Sequence, residues 1–227
     1  MGQSTNLSDV IKVASAIDAE IKALSVRNTP NMRAIRRKYS RVLKQVSPDF
    51  VLRLARKLCK VGDYRWFAYE LIQCHKATFA RLDEAKLEDL GQGINSWWTV
   101  DAFARTLSGP AWLNGQVSDK LILKWARSKD RWWRRAALVT TVTLNVQSHG
   151  GTGDVSRTFR VCRLLADDHD DMVAKAMSWA LRELVVHEAE AVQEFLDEYD
   201  QVLAARVKRE VNNKLKTGLK NPIQKGD

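Results

Sequence analysis

An aromatic and an acidic residue stand four positions apart in the segment SWWTVDAFARTL. Trp97 and Asp101 have the i, i+4 spacing that places two side chains on one face of a helix. Asn95 or Ser96 is a suitable N-cap, which would put Trp97 in the first helical turn. Both groups favour positive charge, the carboxylate by its own charge and the indole through its ring quadrupole. The alternative is a solvated carboxylate that pairs with Arg105, also at i+4.

Tryptophan and arginine occur side by side elsewhere in the chain. The chain has 8 tryptophans; two of them are adjacent among the arginines of RWWRRAALV, and Trp179 lies three residues before Arg182. A single tryptophan usually serves packing. Neighbouring helix positions diverge by about 100°, however, so the pairs Trp97-Trp98 and Trp132-Trp133 are hard to bury fully. Some of these rings are therefore expected to face a ligand.

Helical periodicity runs from one end of the chain to the other. The segments with apolar residues at three-and-four spacing are 48–60, 64–76, 97–107, 118–128, 131–145, 156–166, 171–187 and 200–216. The predicted breaks are Gly62-Asp63, 91–93, Ser108-Gly109-Pro110, 128–130 and a flexible loop at 147–154. Because the connections are short, neighbouring helices are expected to form antiparallel hairpins.

A weak internal repeat is visible within this pattern. Ala68, Ala102, Ala136 and Ala176 occupy similar places in successive helices, at intervals of 34, 34 and 40 residues. Such periods are typical of solenoids built from helical pairs, which we favour over a non-repetitive bundle. The inner helices of a solenoid line one concave face, so their basic and aromatic residues would share a groove. We predict a single all-α domain over 1–227, with less certain N-terminal helices over 1–30 and a flexible tail over 218–227.

Composition narrows the class of partner. Lys and Arg number 37 against 27 Asp and Glu, a net charge of +10 that favours a polyanion, most simply nucleic acid. The three cysteines form no C-x-x-C and the four histidines lack metal-ligand spacing, so we expect neither disulfides nor a metal. No secretory signal or membrane span is recognisable, and we expect a soluble, cytoplasmic monomer, associated with the nucleoid in a bacterium.

Three motifs together resemble a known family. SWWTVDAF, RWWRRAALV and VAKAMSWALRELV, in this order and spacing, resemble the DNA alkylation repair proteins of the AlkD type over roughly residues 30–215. The resemblance implies a HEAT-like repeat fold whose basic concave groove binds DNA. It also implies a working set of two tryptophans, an aspartate and an arginine, which fall on Trp97, Trp179, Asp101 and Arg135.

The resemblance implies a DNA glycosylase that removes N3- and N7-alkylated purines from duplex DNA without a cofactor. Asp101, Trp97 and Trp179 would be catalytic, and Arg135 would hold a backbone phosphate. The further residues expected to bind DNA are Arg134, Trp132, Trp133, Arg182, Arg37 and Arg41. An alkylated purine is already cationic and leaves readily, so a general acid is not required. The family also implies that the damaged base is not flipped into a deep pocket.

Two other classes of function fit parts of the sequence. One is a non-catalytic HEAT-repeat protein that binds distorted or branched DNA, which would keep the basic groove but would not need Asp101. The other is a protein-interaction scaffold, which accounts for the repeats but not for the charge or the grouping of tryptophan with arginine.

Overall fold

The described part of the protein is helical. The computed structural model describes residues 9–60 and 64–222, and within those ranges it contains helices and no strand. The prediction of an all-α fold is therefore confirmed. The chain divides into two compact units, Met1–Gln92 and Gly93–Asp227. The predicted turn at Gly62-Asp63 lies outside the described residues.

The first unit is built around two packed helices, Pro48–Lys60 and Arg65–Cys74. Its helices are α1 (Val10–Lys22), α2 (Thr29–Val42), α3 (Pro48–Lys60), α4 (Arg65–Cys74), α5 (Lys76–Phe79) and α6 (Glu84–Gly91). α3 packs against α1 and α4, and α2 packs against α4. Leu54 and Leu58 of α3 lie one helical turn apart and are fully buried. α1 begins after Asp9, whose carboxylate accepts the N–H groups of Ile11 and Lys12.

The second unit is arranged around one central helix. Its elements are α7 (Trp97–Phe103), a π-helical turn (Ala104–Ser108), α8 (Gly109–Leu113), α9 (Asp119–Ala126), α10 (Arg131–Asn145), a 3₁₀ turn (Gln147–His149), α11 (Val155–Arg163), α12 (Asp171–Leu184), α13 (Ala189–Glu198) and α14 (Ala205–Thr217). α10 packs against α7, α8, α9 and α12, and α12 packs in turn against α14. α10 is buried without interruption over 135–145.

The predicted break at Ser108-Gly109-Pro110 is wrong. The π-helical turn continues into α8, so the chain stays helical from Trp97 to Leu113. A Cβ on Gly109 would lie only 2.2 Å from Oγ1 of Thr143, so this glycine serves the close approach of α8 to α10. Pro110 lies in the first turn of α8, where proline is tolerated.

The predicted flexible loop at 147–154 is instead fixed to α10. The N–H of Gly153 donates to the carbonyl of Leu144, and the N–H of Asp154 donates to Oδ1 of Asn145. A Cβ on Gly151 would lie 2.4 Å from the carbonyl oxygen of Thr143. The glycines that indicate a mobile loop in the sequence thus allow the backbone to lie directly against the central helix.

The repeated alanines lie mostly at helix contacts. Ala68, Ala136 and Ala176 are fully buried, whereas Ala102 is half-buried. Small residues at these places let neighbouring helices lie close together, as a helical repeat requires. The concave basic face of the sequence analysis remains a prediction.

Candidate active site

Three neighbouring helices of the second unit place most of the predicted working residues around one cleft. α10 lies between α7 and α12 and packs against both. The cleft has a volume of about 400 Å³, and its lining residues are Trp97, Arg135, Met172, Lys175, Trp179, Arg182 and Lys220. The structure therefore brings together Trp97, Arg135, Trp179 and Arg182, which the sequence analysis selected from three separate motifs.

The start of α7 fixes the position of Trp97. Ser96 is the N-cap, and it forms a capping box with Thr99, whose hydroxyl accepts the N–H of Ser96 at 3.2 Å. Trp97 is consequently the first helical residue, and 58 % of it is exposed. Asp101 follows one turn later on the same face, as its spacing predicts.

Asp101 forms an ion pair with Arg135. Nε and Nη2 of Arg135 donate to Oδ1 and Oδ2 of Asp101, both at 2.9 Å, and Nη1 donates to the carbonyl of Met172 at 2.6 Å. The side chain of Arg135 is only 6 % exposed and that of Asp101 is 17 % exposed. This bidentate arrangement is the strongest form of a carboxylate–guanidinium contact. The alternative pairing of Asp101 with Arg105 is not the one observed.

The geometry gives Arg135 a role that the sequence analysis did not predict. Three of its N–H groups are directed at Asp101 and at α12, so this side chain orients the carboxylate and connects the two helices. The predicted contact of Arg135 with a backbone phosphate remains a prediction, and a phosphate would have to share a guanidinium already bound to Asp101.

Two opposing influences act on the charge of Asp101. Burial raises the pKa of this carboxyl group, while the hydrogen bonds and charge of Arg135, together with the charge of Arg105, work in the opposite direction. Both carboxylate oxygens accept N–H groups of Arg135, an arrangement that suits the ionised form. A proton on either oxygen would remove an acceptor that Arg135 uses.

Trp179 is held from two sides. Its indole N–H donates to Oε1 of Glu183 at 2.9 Å, and the guanidinium of Arg105 lies 5.5 Å from the ring centroid. Arg105 also lies 3.1 Å from Nε2 of His149, and burial and the charge of Arg105 together lower the pKa of that histidine. The i+4 spacing in the sequence predicts Arg105 only as a partner of Asp101. Its position two turns after Trp97 on the same helix was the available signal.

Trp133 and Arg134 stabilise the packing around α10. The ring of Trp133 lies 4.9 Å from that of Trp125 and 6.0 Å from that of Phe103, centroid to centroid. Arg134 donates to Oδ2 of Asp168 at 2.6 Å and to the carbonyls of two residues in the turn before α10. Their predicted contacts with DNA remain predictions, and structural roles account for both side chains.

The other predicted DNA-binding residues are more accessible. Trp132 is half-buried, with the guanidinium of Arg131 at 5.0 Å from its ring centroid. Arg182 lines the cleft, and burial lowers its pKa. Arg37 and Arg41 lie in the first unit on the exposed side of α2, and neither forms an ion pair within the described ranges.

The described part of the chain contains neither a metal-binding cluster nor a membrane-spanning helix. No group of three or more His, Cys, Asp or Glu side chains there could hold a metal ion. None of the helices described is both long and apolar enough to span a bilayer. The chemistry available at the cleft is thus that of one oriented carboxylate, two indole rings and several cations.

Comparison with known proteins identifies the family. The chain matches the family described as DNA alkylation repair enzyme over residues 7–215 of its 227 residues. A comparison with curated proteins found no significant match. The matched range contains α7, α10 and α12, the three helices that carry Trp97, Asp101, Arg135 and Trp179. The chain therefore belongs to the DNA alkylation repair enzyme family.

Proposed function

We propose that the protein is a DNA glycosylase that hydrolyses the N-glycosidic bond of cationic N3- or N7-alkylated purines in duplex DNA. The observation that carries the proposal is the Asp101 carboxylate, oriented by Arg135 beside a cleft with an indole ring from α7 and another from α12. Membership of a DNA alkylation repair family supports DNA as the partner.

The reaction needs little beyond charge stabilisation. The bond between C1′ and the purine nitrogen breaks, its electron pair neutralises the cationic base, and the sugar is left with oxocarbenium character. Water then adds to C1′ and loses a proton to Asp101 or to solvent. A fixed carboxylate both stabilises the cationic sugar and orients or deprotonates that water. No general acid is needed, because the leaving base is neutral once the bond is broken.

The indole rings supply selectivity for the damaged base. Trp97 is largely exposed and Trp179 is half-buried, so both offer ring surface to a ligand in the cleft. A cation over an indole face gains about 0.5–2 kcal/mol, which corresponds to about two- to thirtyfold in affinity. An undamaged purine carries no charge and gains nothing from this term.

A second candidate function is non-catalytic binding of distorted or branched DNA. The observation in its favour is that Arg135 donates to both oxygens of Asp101, so that the carboxylate has a purely structural use. Under this alternative, removing the charge of Asp101 would change stability but no reaction rate.

Release of free base from damaged DNA tests the two candidates. The assay is single-turnover release of 7-methylguanine from a duplex, with duplex affinity measured in parallel. Asp101→Asn keeps the shape of the side chain and should lower the release rate by on the order of 10²-fold, with little change in affinity. Asp167→Asn is the matched control, because Asp167 is exposed in the same unit and should be silent. Release by Asp101→Asn at the wild-type rate would refute the mechanism, and no release by the wild type would favour the non-catalytic alternative.

A further inference from the structure

The cleft contains cations in addition to Arg135. Lys175 is neutralised by Asp171, whose carboxylate lies 2.7 Å from its ammonium group. Arg182 of α12 and Lys220, which follows α14, line the same cleft and do not contact Asp171. Both of them instead converge on one buried acidic residue.

That residue is Glu210 of α14, whose side chain is only 3 % exposed. The hydroxyl of Ser178 donates to its Oε2 at 2.7 Å, and Nε of Arg182 donates to the same hydroxyl oxygen at 3.2 Å. The ammonium group of Lys220 lies 3.5 Å from Oε2, and Nη1 of Arg206 donates to Oε1 at 3.1 Å. Glu210 thus holds Arg182 through Ser178 and holds Lys220 directly.

A glycine turn brings Lys220 to this position. Gly218 follows the last turn of α14 with φ of +72°, the left-handed conformation that ends many helices. The side chain of Asn213 then donates to the carbonyl of Lys220 at 3.0 Å, and Lys214 donates to the carbonyl of Gly218 at 2.9 Å. The tail predicted to be flexible over 218–227 is therefore folded back onto α14 at 218–220, while 223–227 lie outside the described residues.

The charge of this cluster is unbalanced. The cations in this region outnumber the carboxylates, so an excess of positive charge remains at this edge of the cleft. The cations are Lys175, Arg182, Arg206, Arg209 and Lys220, and the carboxylates are those of Asp171, Glu183 and Glu210. The side chain of Lys220 is 43 % exposed and is therefore accessible to a ligand in the cleft. Two cations that are oriented in advance at the edge of a cleft suit a phosphate, because a phosphate accepts charge-assisted hydrogen bonds from several donors at once.

We propose that Arg182 and Lys220 form a phosphate-binding pair for the DNA backbone at the cleft, and that Glu210 is the positioning residue that holds both. The inference rests on the proposed function, since it places duplex DNA in the cleft. It also assigns the phosphate contact to side chains other than Arg135, whose guanidinium is bound to Asp101.

The first test measures the salt dependence of binding to an undamaged duplex. Each phosphate contact contributes about 0.9 to the slope of log K against log salt concentration. Lys220→Gln should lower this slope by about one and weaken binding at low salt. Lys216→Gln is the matched control, because it removes the same charge from an exposed residue of α14 that does not line the cleft. Equal slopes for the two variants would overturn the assignment of Lys220.

The second test asks whether removing the negative charge of Glu210 weakens or strengthens DNA binding. Removing an acidic residue from a DNA-binding surface ordinarily strengthens binding. If Glu210 positions Arg182 and Lys220, Glu210→Gln should instead weaken binding and lower the slope. Ser178→Ala should do the same through Arg182 alone, without any change of charge. Tighter binding by Glu210→Gln would overturn the positioning role, and Ser178→Ala and Lys220→Gln provide the answer if Glu210→Gln does not fold.

These measurements are independent of catalysis. Undamaged duplex contains no leaving group, so the slopes report the phosphate pair whether or not 7-methylguanine is released. A wild type that releases no base while Lys220→Gln shows the smaller slope would refute the glycosylase and support the phosphate pair. Normal release of 7-methylguanine by the wild type, with equal slopes for Lys220→Gln and Lys216→Gln, would support the glycosylase and refute the phosphate pair.

Discussion

Because Asp101 and Arg135 form an ion pair, the effects of substituting them on the free energy of unfolding should depend on each other. Arg135→Gln leaves a carboxylate that is 17 % exposed without its two donors, and Asp101→Asn leaves a guanidinium that is 6 % exposed without its counter-charge. Removing one partner of a buried pair costs about 3–5 kcal/mol. Asp101 keeps some contact with solvent, so we expect each single variant to lose about 2–3 kcal/mol of unfolding free energy.

The double variant should lose no more than either single variant. With Asn at 101 and Gln at 135 no charge remains uncompensated, and the two amides can hydrogen-bond to each other. The coupling energy of the cycle should therefore be about 2–3 kcal/mol, at the upper end of values found for residues in contact. An exposed pair, Arg163 with Glu198, is the control, and its cycle should give about 0–1 kcal/mol.

Thermal unfolding of the four proteins at neutral pH measures this coupling. For a chain of this length, 1 kcal/mol shifts Tm by about 2–4 °C, so each single variant should lose about 4–12 °C. Losses that add in the double variant to within about 0.5 kcal/mol would show that the two side chains act independently and would refute the coupling of Asp101 to Arg135.

Arg135→Gln should also shift the pH profile of base release. Burial raises the pKa of Asp101 and Arg135 opposes that rise, so the acid limb of base release should lie above the usual range of an aspartate. Arg135→Gln removes the opposing influence and should move the limb to higher pH.

Three further predictions concern single features of the second unit. Trp97→Ala should leave Tm nearly unchanged but reduce discrimination for cationic over neutral bases by about two- to thirtyfold. Trp179→Ala should instead reduce both the affinity for the lesion and the rate of base release. Competition binding and single-turnover release distinguish these two results. Excess EDTA should leave base release unchanged, because the described residues offer no metal-binding cluster, and recovery by added zinc or magnesium would contradict this. Gly109→Ala should lower stability by about 1–3 kcal/mol in thermal unfolding, and Thr143→Ala in the same chain should restore part of the loss.

The sequence was sufficient to place the elements that carry the site. The periodic segments 48–60, 131–145 and 171–187 correspond to α3, α10 and α12, and the cap at Ser96 follows from local residue preference. Two helices of the second unit were missed: α8 begins with Gly109-Pro110, which indicates a break, and α13 carries acidic residues that hide its apolar face. Gly109 is helical because α10 lies against it, and no local pattern reports such a contact.

The ion pair of Arg135 with Asp101 was missed from the sequence for a similar physical reason. Viewed on α10 alone, an arginine after two tryptophans has the character of an exposed cation available to phosphate. Its burial and its pairing depend on a carboxylate in another helix, 34 residues earlier. Residue type and helical phase determine the direction of a side chain from its own helix, but not which charges the neighbouring helix places opposite it.

The separation of 34 residues between Asp101 and Arg135 relates their ion pair to the helical repeat. Four of the polar contacts between helices share nearly one interval: Arg36 with Glu70, Asp101 with Arg135 and Arg134 with Asp168 are each separated by 34 residues, and Ser178 with Glu210 by 32. Ala68, Ala102 and Ala136 of the repeat are also separated by 34 residues. In a helical repeat each unit contacts mainly its neighbour, so a residue is most often opposite the one a full period away. Opposite charges one period apart are therefore candidates for ion pairs. Six such pairs separated by 34 residues occur in the sequence, and three of them form ion pairs in the structure: Arg36 with Glu70, Asp101 with Arg135 and Arg134 with Asp168.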